Sequence, residues 1–296
     1  MTHKRILVAL SLADGRDPAF ERALALAQTS GAELYLLHAV PAVHPFSSGA
    51  TQRLQRAAKL RARAAAAGVT AQTIEQHGDP AEIILLHADA RAVDLVVMGT
   101  ERRTGWARLR ERSVAERVLR RTTRPTLVVA ADDTGEGAVV RKVLVAVDLS
   151  PASATVVDTA RQLLGSEARQ VTVLHAVDSI EAATAVHSYA RWMVPEYRSY
   201  MLGDARRRLE SLLPPSVATD VTLQARATAG PPAEVIAAHA ADLDADVIVL
   251  GRSKRFLHLG STALRLLRTT NRALLVVPPA AIVQTIAAPS VHPRAA

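Results

Sequence analysis

The sequence contains no cysteine, and this absence excludes disulfide bonds, thiolate zinc sites and thiol catalysis. Aromatic residues make up only 3% of the 296 residues, so the core must be built from Val, Leu, Ile and Ala. No apolar run is long enough to span a bilayer. Basic residues 3–5 precede a short apolar run that lacks a signal-peptidase pattern, and a similar run recurs at 141–145. We therefore expect strands at both places, and a protein of a reducing compartment.

The net charge of +8 at pH 7 is compatible with anionic partners. Along residues 101–124, however, Arg is interleaved with Glu, which is typical of solvated helix faces. No basic stripe interleaved with aromatic residues is found. We therefore expect neither a nucleic acid nor a membrane as a partner.

Two halves of the chain repeat each other. The letters GDPAEI at 78–83 recur as GPPAEV at 230–235, an offset of 152 residues (230 − 78). The letters DLVVMG at 94–99 recur as DVIVLG at 246–251 with the same offset. Self-similarity at a fixed offset indicates two copies of one structural unit.

The offset changes along the repeat. LHAV at 37–40 recurs at 174–177 with an offset of 137 (174 − 37), and TLVV at 126–129 matches LLVV at 274–277 with an offset of 148 (274 − 126). The second copy therefore has 15 extra residues (152 − 137) around 179–203 and four fewer before its last strand. The aromatic-rich insertion forms either a partner-binding flap or lid, or a longer second helix that packs on the domain surface.

Each copy alternates apolar runs with helical segments. In the first copy, five apolar runs predict strands near residues 5–10, 33–39, 71–76, 94–98 and 126–129. Four segments between them predict helices near residues 19–30, 52–67, 81–90 and 113–121. The continuous apolar character of the strands is typical of a parallel sheet covered on both faces. The sequence thus predicts two tandem doubly wound α/β domains, each with a five-stranded parallel sheet and helices on both faces.

The predicted boundaries follow from composition. We expect the first domain to occupy residues 1–131 and the second to occupy 140–279. The polar segment 132–139 between them predicts a linker, and 280–296 predicts a loose C-terminal tail. In a doubly wound sheet, ligands bind beyond the carboxyl ends of the strands, so candidate site residues follow the first, second and fourth strands.

A more specific pattern follows the fourth strand. SVAERVLR at 113–120 precedes Pro125 and the fifth strand, and order and spacing agree in both copies. This succession resembles the universal stress protein family. The resemblance implies an adenine nucleotide α-hydrolase-like fold and a cytoplasmic stress-response regulator, with at most slow ATP hydrolysis. It also implies that fifth strands pair edge to edge, here 127–129 with 275–277 within one chain, and it leaves a homodimer of chains open.

Nucleotide-binding members of that family carry three spaced glycines after the fourth strand, the last followed by Ser or Thr. Glycine lets backbone N–H groups approach phosphate, and a helix N-terminus favours an anion. The first copy keeps Gly99 and Ser113, but Arg102 and Arg112 replace the other glycines. Ser11 stands where the family places an aspartate for the nucleoside. These departures predict that the first copy has lost the site.

The second copy keeps more of the pattern. Asp148 follows its first strand, Gly251 ends its fourth, and Gly260 precedes its last helix, although Lys254 replaces the second glycine. We expect ATP, ADP or AMP, with Mg²⁺ accompanying it. The resemblance assigns the site to Ala146, Val147, Asp148, Val177, Leu250, Gly251, Arg252, Lys254, Gly260, Ser261 and Thr262.

Three alternatives stay open at this point. Gly260 and Ser261 serve equally well as an ordinary helix cap that needs no ligand. Lys254 and the shortened loop fit an interaction scaffold that binds no nucleotide. An enzyme of the related α-hydrolase class is the third, although no Ser-Gly-Gly-type phosphate loop follows the first strand.

Other polar residues have structural interpretations. His38 and His175 end the second strands without a carboxylate or nucleophile nearby in sequence, so we expect structural histidines. Asp94 and Asp246 precede the fourth strands, at the edge opposite the crevice, and we expect turn or cap residues. Ligand spacing gives no support for a metal site.

Overall fold

A computed structural model describes residues 5–12, 17–40, 50–100, 113–130, 140–164, 170–177, 194–212, 222–252 and 260–279. The predicted linker at 132–139 and the predicted tail at 280–296 lie outside these ranges. Within them, no helix has both the length and the apolar character needed to cross a membrane.

The first half alternates strands and helices in the predicted order. Its strands are β1 (Arg5–Ala9), β2 (Glu33–Val40), β3 (Ala71–His77), β4 (Leu95–Thr100) and β5 (Thr126–Ala130). Its helices are α1 (Pro18–Ser30), α2 (Ala50–Ala66), α3 (Pro80–Ala90) and α4 (Val114–Arg121). Helices α1 and α3 each begin with proline after an aspartate, because Asp17 and Asp79 accept backbone N–H bonds as N-caps.

The second half repeats this order. Its strands are β6 (Lys142–Ala146), β7 (Gln170–Val177), β8 (Thr222–Ala229), β9 (Val247–Gly251) and β10 (Ala273–Val277). Its described helices are α5 (Ser153–Leu164), α6 (Val194–Leu212), α7 (Pro232–Asp242) and α8 (Ser261–Thr269).

All ten strands form one sheet in the order β3-β2-β1-β4-β5-β10-β9-β6-β7-β8. Within each half the neighbouring strands are parallel, which confirms the predicted fold class. The halves meet where β5 lies antiparallel to β10, and Leu127 faces Leu275 at the centre of this pair. Leu127 and Leu275 are equivalent residues of the two copies, so an approximate two-fold axis passes between them.

Two apolar cores cover the two faces of the sheet. One collects side chains from α1, α2, α5 and α6, such as Phe20 and Leu209. The other collects side chains from α3, α4, α7 and α8, such as Leu119 and Leu266. Because alternate residues of a strand face opposite sides, the central strands β1, β4, β5, β10, β9 and β6 contribute to both cores.

The insertion at 179–203 is described only from residue 194 onwards, where it forms the first part of α6. Tyr200 in this part is exposed at 64% of its surface, so it does not pack against the domain as the longer-helix interpretation expected.

Candidate functional site

The carboxyl ends of β6 and β9 lie side by side in the second domain. Ala146 of β6 pairs with Leu250 of β9, so the residues that follow these strands emerge next to each other. Four predicted site residues here are buried, namely Ala146, Val147, Val177 and Leu250. Ala146 and Leu250 pack in the core on one face of the sheet, and Val147 packs in the core on the other face.

Asp148 directly follows Val147 and is exposed. Its Oδ1 accepts hydrogen bonds from the Ser150 backbone N–H at 3.0 Å and from the Ser153 hydroxyl at 3.3 Å. Burial raises the pKa of Asp148, but the hydrogen bonds from Ser150 and Ser153 outweigh it, and the pKa is lowered overall. The carboxylate is therefore ionised at neutral pH.

The residue after Asp148 has an unusual backbone. Leu149 has a φ of 57°, in the left-handed region that non-glycine residues rarely adopt, and Leu12 has a φ of 51° at the equivalent place. An arginine of the second helix holds each carbonyl. Arg208 donates to Leu149 O at 3.2 Å, and Arg56 donates to Leu12 O at 3.5 Å. Such strain persists only where its surroundings enforce it, and it concentrates at functional sites.

Sequence reasoning missed this pair of arginines. Arg56 and Arg208 are 152 residues apart (208 − 56), which is the offset found downstream of the insertion. That shared offset was the available signal, but nothing in the local sequence indicates that either side chain reaches back to the first strand.

The two strand-end histidines hold the same segment from the other side. His175 Nδ1–H donates to Val147 O at 2.8 Å, and His38 Nδ1–H donates to Leu10 O at 3.0 Å. A carbonyl can only accept, so the proton is on Nδ1 in both rings. The structural interpretation of both histidines is confirmed, and His175 positions the backbone immediately before Asp148.

Gly251 has a packing reason that the sequence did not reveal. A Cβ at this position would lie 2.8 Å from Cγ2 of Val156 on α5, closer than real Cβ contacts allow. In the first domain Ala19 replaces Val156, and a Cβ on Gly99 would meet nothing within 4 Å. The close approach of β9 to α5 thus favours glycine at 251 whether or not a phosphate binds there, because any side chain would force a shift of Val156.

The last helices of the two domains begin differently. In the first domain, Ser113 Oγ accepts the Glu116 backbone N–H at 3.2 Å and caps α4. In the second, α8 begins one position earlier, with Gly260 as a cap that has no side chain and Ser261 as its first residue. No side chain of the described residues caps the first turn of α8, so its N–H groups keep the capacity to bind an anion.

Arg252 is the predicted site residue that reaches furthest from the second domain. Its guanidinium donates to Leu119 O at 2.7 Å and to Thr122 O at 3.0 Å, both on or next to α4 of the first domain. The carbonyl groups at the end of a helix lack intrahelical donors and carry negative partial charge, which accounts for the attraction. Lys254, like Arg102 and Arg112, lies outside the described residues.

The aspartates at the opposite edge have the expected structural role. Asp94 Oδ2 accepts the Arg5 backbone N–H at 3.0 Å, and Asp246 Oδ2 accepts the N–H groups of Arg141 and Lys142 at 2.8 Å. They fix the starts of β1 and β6. Across the described parts of the chain, no group of His, Asp and Glu is arranged to hold a metal ion.

Comparison with known proteins gives a consistent result. The model of the universal stress protein family matches residues 2–130 and again residues 140–278. A universal stress protein of Thermus aquaticus is 37% identical over 134 residues, which are 43% of this chain and 98% of that protein.

One solved structure covers nearly the whole chain, and another covers less than half of it. A universal stress protein of Archaeoglobus fulgidus superposes with a TM-score of 0.67 at 17% identity, covering 93% of this chain and 96% of its own. A universal stress protein solved in complex with cAMP has a TM-score of 0.38 at 26% identity, covering 44% of this chain and 98% of its own.

Proposed function

Because this chain belongs to the universal stress protein family and carries two of its domains in tandem, we propose that its second domain binds an adenine nucleotide. The nucleotide is ATP, ADP or AMP, and Mg²⁺ accompanies the polyphosphate forms. The chain then acts as a cytoplasmic nucleotide-responsive regulator of the stress response rather than as a metabolic enzyme, with at most slow ATP hydrolysis.

The observation that carries this proposal is the ionised carboxylate of Asp148 at the end of β6, and the start of α8 without a side-chain cap supports it. Asp148 is ionised and exposed, and a carboxylate has several lone pairs, so it can accept hydrogen bonds from the hydroxyl groups of a ribose. The first turn of α8 offers N–H groups of the opposite polarity, suited to a phosphate. A nucleoside phosphate presents these two chemistries in one molecule.

The surroundings of Asp148 support the proposal. Arg208 and His175 hold the backbone on both sides of this residue, so the carboxylate does not need to be ordered when a ligand arrives. Preorganisation of this kind reduces the entropy cost of binding.

The first domain keeps the backbone arrangement of the proposed site but lacks its carboxylate and its helix start without a side-chain cap. Leu12, Arg56 and His38 repeat the arrangement around the first strand. At the key positions, however, Ser11 replaces the carboxylate, and the Ser113 side chain already caps α4. We therefore assign one nucleotide site per chain.

The contact between β5 and β10 bears on how the two domains are joined. The resemblance implies that fifth strands of two domains pair to form a dimer, and the antiparallel register of β5 and β10 supports an equivalent contact within one chain. We propose that the chain is an internal pseudo-dimer, in which the sheet edges of β5 and β10 protect each other.

A second function is favoured by two specific observations. Gly251 is explained by its contact with Val156, and Arg252 is engaged with the first domain. Both features fit an interaction scaffold of the same family that binds no nucleotide and recognises protein partners.

Calorimetric titration of Mg-ATP into the chain distinguishes the two functions. We expect saturable binding at one site per chain. Because a hydrogen bond to a charged group contributes about 1.5–3 kcal/mol, Asp148→Ala should weaken binding roughly tenfold or more. AMP and cAMP are titrated in parallel to identify the preferred phosphate state.

Ser11→Ala is the matched control, because Ser11 occupies the position equivalent to Asp148 in the first domain. It should leave the affinity unchanged. If neither the wild type nor the variants produce heat at two temperatures, with all of them folded, the nucleotide proposal fails and the scaffold stands.

A further inference from the structure

The first domain carries a polar network beside β3, the first strand in the order of the sheet, far from the residues of the proposed site. Half-buried His87 lies on α3, and Arg91 follows that helix as its C-cap residue. His87 Nε2–H donates to Oε1 of Gln76 on β3 at 2.5 Å, and His87 Nδ1 accepts a hydrogen bond from the Arg91 guanidinium. Because arginine can only donate, this arrangement requires a neutral His87 ring with its proton on Nε2.

Arg91 carries the network on to the neighbouring strands. Its guanidinium lies 5.5 Å from the ring centroid of Tyr35 on β2, and the Tyr35 hydroxyl donates to Glu33 at 2.8 Å. The Arg5 guanidinium of β1 donates to the Arg91 carbonyl at 2.9 Å. Through Arg91, the ring of His87 is therefore linked to β1 and β2 as well as to β3.

Arg91 also opposes a positive charge on His87. Burial lowers the pKa of His87 from its ordinary value of 6.5, and the charge of Arg91 lowers it further. Glu75 and His77 flank Gln76 on β3, but alternate residues of a strand face opposite sides of the sheet.

The other charged groups packed around α3 are engaged with one another. Glu33 accepts hydrogen bonds from Tyr35 and from Gln72 of β3, and Asp94 accepts the Arg5 backbone N–H. On the side of α4, the contacts pair Asp79 with Arg117, Glu82 with Arg121, and Asp89 with Thr123 and Arg124. Arg91 is therefore the cation in direct contact with the His87 ring.

The pair belongs to one copy only. At the offset of 152 residues, His239 is equivalent to His87, but Leu243 is equivalent to Arg91. Leucine cannot donate to an imidazole and carries no charge, so the second domain has no counterpart of this contact.

We propose that His87 and Arg91 form an acid-sensitive latch on α3 of the first domain. When His87 takes up a proton from solvent, Nδ1 becomes a donor, so it can no longer accept from Arg91 and the two cations repel each other. Arg91 then leaves His87, and the last turn of α3 loosens from β2 and β3. The latch does not depend on nucleotide binding, and it gives the first domain a response to acid that the second domain does not share.

The direction of the pH effect follows from proton binding. Because folded His87 binds a proton less readily than unfolded His87, the unfolded state holds more protons once the pH falls below the ordinary pKa of 6.5. The stability that neutral His87 contributes is therefore present above this pH and is lost as the pH falls from there through the lower folded pKa.

The experiment follows the imidazole signals of the full chain by NMR from about pH 5 to 8. The wild type should show a His87 midpoint below 6.5. Arg91→Leu copies the second domain and should move this midpoint upwards, whereas Arg91→Lys keeps the charge and should move it less. Arg121→Leu is the matched control, because Arg121 pairs with Glu82 at the other end of α3, and it should leave the midpoint in place.

Amide hydrogen exchange, corrected for its intrinsic pH dependence, provides the second readout. The amides of residues 91–93 donate to carbonyls in the last turn of α3. The wild type should lose protection at these amides under acid conditions, while His87→Gln, which stays neutral, should not. His239→Gln is the control and should lose protection as the wild type does.

Three results would overturn the latch. An unchanged His87 midpoint in Arg91→Leu would show that the two side chains do not interact. Equal loss of protection in the wild type and in His87→Gln would show that another group responds to acid. Unchanged protection in the wild type would show that protonation does not open the end of α3.

Discussion

Gly251 and Gly99 end equivalent strands, yet their surroundings differ at the scale of single atoms. Val156 fills the space in front of Gly251, while the equivalent Ala19 leaves the space in front of Gly99 open. The same glycine, which the family uses near phosphate, therefore has a packing role in one copy and none in the other. A glycine motif alone cannot distinguish these causes.

This contrast predicts different costs for the same substitution. Gly251→Ala should destabilise the chain by about 1–3 kcal/mol, because overpacking forces side chains and backbone to shift. Gly99→Ala should change stability by less than about 0.5 kcal/mol. Urea unfolding measures both.

Val156→Ala in the Gly251→Ala background should recover part of the loss, since it reproduces the arrangement of the first domain. Equal costs for the two glycine substitutions, or no recovery in the double variant, would contradict the packing explanation.

At the scale of elements, the last helices show how one position changes the chemistry of a helix start. Ser113 lies outside α4 and caps it, while Ser261 lies inside α8 and leaves Gly260 at the cap. Because α8 starts one residue earlier relative to the strand that follows, the hydroxyl group moves from the cap to the first turn. Among the described residues, no N-cap side chain therefore satisfies the first N–H groups of α8.

Alanine at the two serines should separate these roles. Ser113→Ala should destabilise the chain by about 1 kcal/mol, as expected for the loss of an N-cap. Ser261→Ala should cost less than about 0.5 kcal/mol because it removes no cap bond. Thermal unfolding compares the variants, and a larger loss for Ser261→Ala would show that the caps are assigned wrongly.

At the scale of the whole molecule, the antiparallel contact of β5 and β10 joins two parallel sheets into one. Leu127 and Leu275 lie opposite each other at its centre, and both are fully buried. Directly opposed residues of antiparallel strands have Cα atoms about 4.5–5.5 Å apart, which is within the range that a disulfide spans.

A cysteine pair at this centre tests whether the contact forms within one chain. The chain has no native cysteine, so Leu127→Cys with Leu275→Cys introduces the only possible pair. We expect a disulfide within single chains, seen as a monomer on non-reducing electrophoresis. Covalent dimers as the main product would instead show that the strands pair between chains. Leu127→Cys alone should remain mostly reduced, because its partner position carries no thiol.

The sequence by itself determined the repeat, the alternation of strands and helices, and the edge of the sheet where site residues emerge. These features follow from local patterns: apolar periodicity defines each element, and equal offsets align the copies. The prediction of Asp148 at the end of β6 needed only its position after an apolar run.

The tertiary structure alone decided what the arginines and the glycine do. Arg252 binds a carbonyl 133 residues away, and Arg208 binds one 59 residues away. Backbone carbonyls are the same at every residue, so no pattern in the sequence marks which of them an arginine will reach. The space before Gly251 likewise depends on how closely α5 approaches β9, and that distance is set by packing of the whole domain.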